Sequence, residues 1–371
     1  MSGTSTDGID CVAVNFENSG IRLIASESTE FPSQTKDRIE DLISKPEGDY
    51  IRLCSLDIEL AELYAERTLE LLTRHGIQRQ DIQAIGCHGQ TIYHHAHGSF
   101  PFSCQLGKGA VLAERTGILT INDFRAADIA AGGQGAPLAP AFHRAVFHSD
   151  DSNRCIVNIG GISNITWLPK DRSLDVLGFD TGPGNTLMDS WTRQHHDMPF
   201  DENGSWAASG AADGQLLQCL LNDPYFSMPS PKSTGREKFN MAWLRKRLQT
   251  FPHLSASTIQ ATLLQLSCAS LVKSIGQSCP NVEEVCVCGG GVHNQHLMTE
   301  LEKALAPTPL RTTESLGIHP DWVEAMAFAW LARQCRLDLP GNIPSVTQAK
   351  KLKILGALWP ADSRKLFRKD K

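Results

Sequence analysis

The 371 residues predict an α/β protein in two lobes, and three observations carry that reading. Two glycine-rich turns of one design, Gly3-Thr4-Ser5-Thr6-Asp7-Gly8-Ile9-Asp10 and Gly160-Gly161-Ile162-Ser163-Asn164, lie nearly half a chain apart. A third glycine run, Gly289-Gly290-Gly291, closes another apolar segment. Each turn adjoins a strand-like run, and its glycines let backbone approach an anion closely while neighbouring side chains supply donors. The length is ample for two domains at roughly 100 to 200 residues each.

Taken in order, residues 11–16 and 21–31 read as strands, and residues 53–75 as a helix with Leu53, Leu56, Leu60, Leu63 and Leu71 at helical spacing. Residues 82–87 form a short apolar strand ending in His88-Gly89-Gln90. The Gly/Ala-rich stretch 124–140 is too dense in glycine for a regular element and reads as a shaped loop at a site or a flexible connector. A polar cluster at 148–153 marks a boundary, giving lobe I as 1–148 joined by 340–371 and lobe II as 149–339. In lobe II, strand 174–179 runs into the turn Asp180-Thr181-Gly182-Pro183-Gly184-Asn185 and a helix from Thr186 to Gln194. Helix 257–275, strand 285–288, the glycine run and helix 296–305 follow. Strand, glycine turn, helix is the order that brings amides to a ligand's phosphates.

Composition narrows the function. The formal charge of −6 leaves no basic footprint for nucleic acid, and the basic tail 364–371 reads as a solvated end. No run of about 18 apolar residues and no signal-peptide pattern occurs, so a cytosolic protein is expected. The 11 cysteines contain no Cys-x-x-Cys pair and read as reduced thiols. Cys286 and Cys288 would share one sheet face, and a metal there would need two further ligands, so no metal site is expected.

Several side chains are placed for chemistry. Lys232-Ser233-Thr234 lacks the upstream glycines of a Walker motif. Asp180 ends an apolar strand at a glycine-rich turn, too early to cap the helix at Thr186, and is the candidate acid/base. Asp7 and Asp10 flank the first turn and either orient water around magnesium or bond their own backbone. His88, Gln90 and Thr91 emerge at a strand end with the mixed donors and acceptors that sugar hydroxyls need. Arg125 could fork onto a carboxylate or pair with Asp123 or Asp128. Glu324 opens an otherwise apolar helix, either beside a polar ligand or on its exposed face. Asp189 and Glu202 read as surface carboxylates, and His94, His95 and His97 as exposed loop histidines.

Together, Gly3-Thr4-Ser5-Thr6-Asp7-Gly8-Ile9-Asp10, Cys87-His88-Gly89-Gln90-Thr91, Gly132-Gly133-Gln134-Gly135-Ala136-Pro137-Leu138, Asn158-Ile159-Gly160-Gly161-Ile162-Ser163-Asn164, Phe179-Asp180-Thr181-Gly182-Pro183-Gly184-Asn185, Pro231-Lys232-Ser233-Thr234-Gly235-Arg236-Glu237, Cys288-Gly289-Gly290-Gly291-Val292-His293-Asn294 and Glu324-Ala325-Met326-Ala327-Phe328 resemble the anhydro-N-acetylmuramic acid kinase family. The resemblance runs over nearly the whole chain. It implies the two-lobed fold of actin-like ATPases and sugar kinases, with ATP in the interlobe cleft. It also implies that 1,6-anhydro-N-acetylmuramic acid, ATP and water give N-acetylmuramic acid 6-phosphate and ADP in peptidoglycan recycling.

By the same resemblance Asp180 is the general base. Gly3, Thr4, Ser5, Thr6, Asp7, Gly8, Ile9 and Asp10, with Gly160, Gly161, Gly289, Gly290 and Gly291, bind ATP. His88, Gln90, Thr91, Arg125 and Glu324 face the sugar, Arg125 toward its lactyl carboxylate. Magnesium accompanies ATP, and a homodimer is implied. The competing readings are a plain kinase of another amino sugar and a non-enzymatic actin-like ATP-binding protein. The sequence departs from the family in Thr6, where methionine is usual, and begins at the first turn, which in the family follows an apolar strand; a start assigned too late and a true truncation both account for this. If the strand is truly absent, the first turn is expected to hold ATP weakly. Titration of this chain and of a form extended by about ten apolar residues checks this: the extended form is expected to bind more tightly, and equal affinities overturn it.

Overall fold

The computed structural model describes residues 1–3, 8–17, 20–44, 49–96 and 98–361. Two compact units divide the chain, one comprising Met1–Phe142 and Glu324–Lys371, the other His143–Val323. In chain order the strands are β1 (Gly8–Glu17), β2 (Gly20–Glu30), β3 (Ile85–Gly86), β4 (Gln90–His95), β5 (Phe102–Leu106), β6 (Thr120–Asn122), β7 (Arg154–Ile159), β8 (Ile162–Leu168), β9 (Leu177–Pro183), β10 (Glu284–Cys288), β11 (Leu310–Thr312) and β12 (Ala357–Trp359). The helices are α1 (Ser33–Ser44), α2 (Tyr50–Arg74), α3 (Gly109–Thr116), α4 (Ala126–Ala130), α5 (Ala139–Phe147), α6 (Thr186–His196), α7 (Ser205–Ser209), α8 (Gly214–Leu221), α9 (Met241–Leu248), α10 (Ala256–Ser278), α11 (Gln295–Leu305), α12 (Val323–Arg336) and α13 (Pro344–Thr347).

In the first unit, α2 starts at Asp49, whose carboxylate accepts from the amides of Ile51 and Arg52 and so satisfies two of the helix's unpaired donors. Its buried stripe, including Leu56, Leu60, Tyr64, Ala65 and Leu71, recurs at the helical period. Most of that stripe packs on Ile9, Phe31, Ile39, Cys87, Ile92, Leu106 and Leu112. A second cluster gathers Ile121, Phe124 and Leu138 around Phe328, Leu331 and Ala332 of α12, which explains why that helix belongs with the amino-terminal residues.

β6 lies between β3, parallel to it, and antiparallel β12, while β1 pairs with β2. The outer edges of β1 and β3 line a cavity of about 410 Å³, walled by Thr68 and Leu71 of α2 and by Ala325, Ala329 and Ala332 of α12. Met1 makes one rung of antiparallel pairing there: its amine donates to the Asp10 carbonyl at 2.6 Å, and the Asp10 amide donates back at 2.7 Å.

The second unit holds a five-stranded sheet in the order β11-β10-β7-β8-β9. The first three strands are parallel and the last two pairings antiparallel. Helix α10, begun by Ser255 accepting from the Thr258 amide, is buried along much of its length against β8, β9 and the surrounding helices. The register Glu284↔Arg154 to Cys288↔Asn158 aligns the carboxyl ends of β10 and β7. Both glycine turns of this unit therefore emerge side by side, at the edge of a parallel sheet where ligands commonly bind.

Three local expectations change. The strand bearing Asp180 does not stop there but runs on to Pro183, because β8 continues to pair with it beyond a bulge at Ser163/Asn164. The Gly/Ala-rich stretch contains α4 and the start of α5, with Phe124 and Leu138 buried in the α12 cluster and Ala127 packed against it. The third glycine run does not lead directly into α11: Gly290 and Gly291 open a short 3-10 turn, Gly290–His293, ahead of that helix. Among the described residues no helix is long and apolar enough to cross a membrane.

Candidate functional site

In the first unit three of the side chains expected to face a sugar, His88, Gln90 and Arg125, form hydrogen bonds that reach the start of the first turn. The His88 ring nitrogen Nδ1 donates to the Ser2 carbonyl at 3.3 Å, which leaves Nε2 to accept from Arg125 Nη2 at 2.7 Å. These partners fix a neutral tautomer. Burial, with the Arg125 charge second, holds the ring's pKa well below the usual histidine range. Gln90 Nε2 donates to the Gly3 carbonyl at 3.2 Å, and Ser2 Oγ donates to the Gly89 carbonyl and also bonds the Tyr64 hydroxyl. The His88-Gly89-Gln90 turn thus clamps Met1–Gly3 as well as presenting polar groups.

Arg125 also donates to the Gly135 carbonyl at 2.7 Å. Burial lowers its pKa to about 10, and the charges of Glu324 and Asp128 act against that shift. Glu324 keeps a solvent-facing surface, yet the surrounding protein raises its pKa, with Arg125 pulling the other way and Asp10 reinforcing the rise. Thr91 stands apart on β4, its hydroxyl accepting from Gln105 Nε2 of β5. His94 and His95 are exposed. Ile9 is buried in the core at 2% exposure, and Asp10 is held through its backbone by Met1. Thr4, Ser5, Thr6 and Asp7, like His97, lie outside the described residues.

A carboxylate that sequence reasoning weighed only as a partner for Arg125 organises this surface. Asp128, fully buried, accepts from Asn342 Nδ2 and Thr347 Oγ1 at 2.7 Å each through Oδ1 and from the Gly135 amide at 2.8 Å through Oδ2. The loop 132–135, which holds Arg125, is thereby tied to the segment 342–347. Nothing in the sequence announces this, because Asn342 and Thr347 come more than 200 residues later.

In the second unit the register places Asn158, Asn164 and Asp180 opposite one another on β7, β8 and β9, in one row on one face. Gly289, at φ +82°, closes on this row: a Cβ there would lie 2.3 Å from Asn158 Oδ1. A Cβ on Gly291 would lie 2.3 Å from Ile159 Cγ2. The carbonyls of Gly160 and Gly161 accept from the amides of Gly184, Asn185 and Thr186 at 2.9 to 3.1 Å. The first amides leading into α6 are therefore spent on the hairpin. This differs from the expectation that the order strand, turn, helix leaves them for an anion.

Asp180 is held on three sides. Its amide donates to the Lys232 carbonyl at 3.0 Å, its carbonyl accepts from the Tyr225 hydroxyl at 2.5 Å, and its Oδ2 accepts from the Thr234 amide at 3.0 Å. Burial pushes its pKa up to about 7, the Thr234 amide opposes the rise, and Glu237 adds to it. A carboxyl so poised exchanges protons near neutrality. From the same run of residues, the Arg236 guanidinium covers Gly161, its Nη2 3.3 Å from where a Cβ would stand. Sequence reasoning gave Lys232, Thr234 and Arg236 no role, although their motif was singled out.

Buried polar atoms with no hydrogen-bond partner among the described residues recur at both places. They include Gln90 Oε1 and Arg125 Nε in the first unit and Ser163 Oγ and Thr234 Oγ1 in the second. Such atoms are costly to bury unpaired, and others occur elsewhere in the chain, among them His148 Nδ1, Trp167 Nε1 and Gln260 Oε1.

A profile of the anhydro-N-acetylmuramic acid kinase family matches residues 1–361. The chain belongs to this family. Among curated relatives, an anhydro-N-acetylmuramic acid kinase of Shewanella sediminis is 47% identical over 98% of both chains. One of Saccharophagus degradans is 46% identical over 97% of both. At such coverage the shared family sets the frame in which both sets of side chains are read.

Replacing Asp128 by Asn turns an amide toward groups that already donate, and Asp128→Asn is expected to destabilise the chain by about 2 kcal/mol in denaturant unfolding. An unchanged midpoint would remove the anchoring role. Asp180 makes a second prediction. Its folded pKa of about 7 exceeds the ordinary value of 3.8, so the folded state holds this proton more tightly and loses stability as pH rises between those values. Asp180→Asn should therefore melt at nearly the wild-type temperature at pH 4 and above it at pH 8; a pH-independent difference contradicts the shift.

Proposed function

We propose that the protein is an ATP-dependent kinase that opens 1,6-anhydro-N-acetylmuramic acid with water and phosphorylates it to N-acetylmuramic acid 6-phosphate, in peptidoglycan recycling. The observation that carries this reading is Asp180, a carboxyl poised near neutrality and fixed by the Thr234 amide. Bridge opening needs a base that is ionised yet holds a proton well, which an ordinary exposed aspartate does poorly.

In this reading Asp180 takes a proton from water as the water oxygen bonds to the anomeric carbon and the bridge bond breaks. The freed 6-oxygen then attacks the γ-phosphate, and ADP leaves. Opening the bridge creates the nucleophile for the second step, so one base serves both. Gly160, Gly161 and Gly289 to Gly291 take the nucleotide with the first turn, Gly3 to Asp10; the absence of room for a Cβ at Gly289 and Gly291 supports close backbone packing there. His88, Gln90, Thr91, Arg125 and Glu324 take the sugar, with Arg125 on the lactyl carboxylate. Because the Ser2 carbonyl and Arg125 take up both ring nitrogens of the neutral His88, its part toward the sugar would be to hold Arg125 in place.

Among the described residues no group of three His, Cys, Asp or Glu is placed to cage a metal ion. Magnesium, as the family likeness implies, would accompany ATP on its phosphates and water, where it would supply charge neutralisation. The family likeness further supports a cytosolic homodimer.

Product analysis with ATP and 1,6-anhydro-N-acetylmuramic acid in isotopically labelled water tests the reading. Label is expected at the anomeric position, and kcat is expected to rise with pH to a plateau above about 7 as Asp180 ionises. Asp180→Asn should lower kcat by roughly a hundredfold or more. Unlabelled product, or full activity in the variant, refutes the mechanism.

A further inference from the structure

The run Pro231-Lys232-Ser233-Thr234-Gly235-Arg236-Glu237 is bound to β9 at two points on one residue: the Lys232 carbonyl accepts from the Asp180 amide, and the Thr234 amide donates to the Asp180 side chain. Lys232 Nζ donates to the Tyr225 carbonyl at 2.9 Å, and the Tyr225 hydroxyl returns to the Asp180 carbonyl. The loop is therefore locked in register with the carboxyl it covers. Thr234 brings a second polar group to the same place. Its Oγ1 is buried and has no hydrogen-bond partner among the described residues.

A clamp on Asp180 needs only the backbone amide, which any residue except proline supplies. The hydroxyl is surplus to that task, and a buried hydroxyl without a partner is unfavourable unless a ligand atom completes it. Because Oδ2 accepts from the Thr234 amide, Oδ1 is left as the oxygen that receives a proton. A water bound there has two hydrogens to place and must turn its lone pair away from both acceptors.

We propose that Thr234 is a second catalytic residue, whose hydroxyl oxygen accepts one hydrogen of the attacking water while Asp180 Oδ1 takes the other. This rests on the reading of Asp180 as the base. The water oxygen bonds to the anomeric carbon while the bond from that carbon to the bridging 6-oxygen breaks. One hydrogen passes to Asp180 as a proton and is later released to solvent. The other stays on the new anomeric hydroxyl, directed at Thr234 Oγ1. The 6-oxygen carries the bonding pair into the attack on the γ-phosphate, and ADP departs with the electrons of the cleaved bond. Holding both hydrogens aims the lone pair at carbon, which is an effect on orientation and acts on kcat.

Thr234→Val keeps the amide and the shape of the side chain and removes the hydroxyl; Thr234→Ser keeps the hydroxyl. Steady-state kinetics on the full chain, with melting curves to verify folding, should give a kcat about 10- to 100-fold lower in the valine variant, with KM for ATP nearly unchanged. The serine variant should recover most of the loss. The pH at which kcat is half-maximal should stay close to wild type in both, since the amide on Asp180 remains. If valine prevents folding, Thr234→Ala gives the same comparison. A valine variant with wild-type kcat, or one altered only in KM for the sugar, overturns the proposal. Asp180→Asn is run alongside. Full activity there removes the base reading and this proposal with it, whereas an inactive Asp180→Asn beside a fully active Thr234→Val removes the proposal alone.

Discussion

The close approach of the third glycine run to the end of β7 is the constraint on which the second unit's site depends. Gly289 and Gly291 press on Asn158 and Ile159 at distances no side chain could share. That contact holds only because β10 and β7 are parallel neighbours whose carboxyl ends coincide in register. Buried valines and cysteines along both strands enforce the register. Core packing on one level thus decides where backbone meets ligand on the next.

The first unit reaches the same end by polar means. His88, Arg125 and Asp128 are buried or nearly so, and each is satisfied mainly by backbone carbonyls, amides or neutral side chains. A network of this kind is rigid when complete and expensive when broken. It joins the first turn to the loop 132–135 through a single imidazole, so the orientation of Arg125 is inherited from that of His88. The packing of the His88 ring against Phe328, with centroids 4.5 Å apart, ties the same imidazole to α12.

Much of this was legible in the chain, for identifiable reasons. Glycines at close approaches leave a local signature, since only they fit, and Gly289 and Gly291 are such positions, whereas a Cβ at Gly160 would meet no close neighbour. Asp180 was conspicuous as a carboxylate after an apolar strand; that its strand continues to Pro183 was not, because the pairing resumes past a bulge at Thr181 that only the β8 partner reveals. The helix α4 was hidden by its glycine-rich surroundings, and what holds it, Ala127 against the α12 cluster and Asp128 bonded to Asn342 and Thr347, lies far along the chain. Asp128 and Thr234 act through partners distant in sequence, and periodicity carries no trace of such pairings. Sequence-level reasoning fails most at positions held by tertiary hydrogen bonds, which is where sites are commonly built.

The row Asn158, Asn164, Asp180 has a consequence for fidelity. Phe179, beside Asp180, is buried at 2% exposure. A slip of β9 by one residue would put the phenyl ring beneath the 231–237 loop, where the Thr234 amide needs an acceptor, and drive the carboxyl into the apolar core, two errors at once. The hydrophobic interior therefore acts as a proofreader for the chemistry: a chain that has packed its sheet correctly has already pointed its acid outward, and a misregistered chain is too unstable to persist as an inactive imitation.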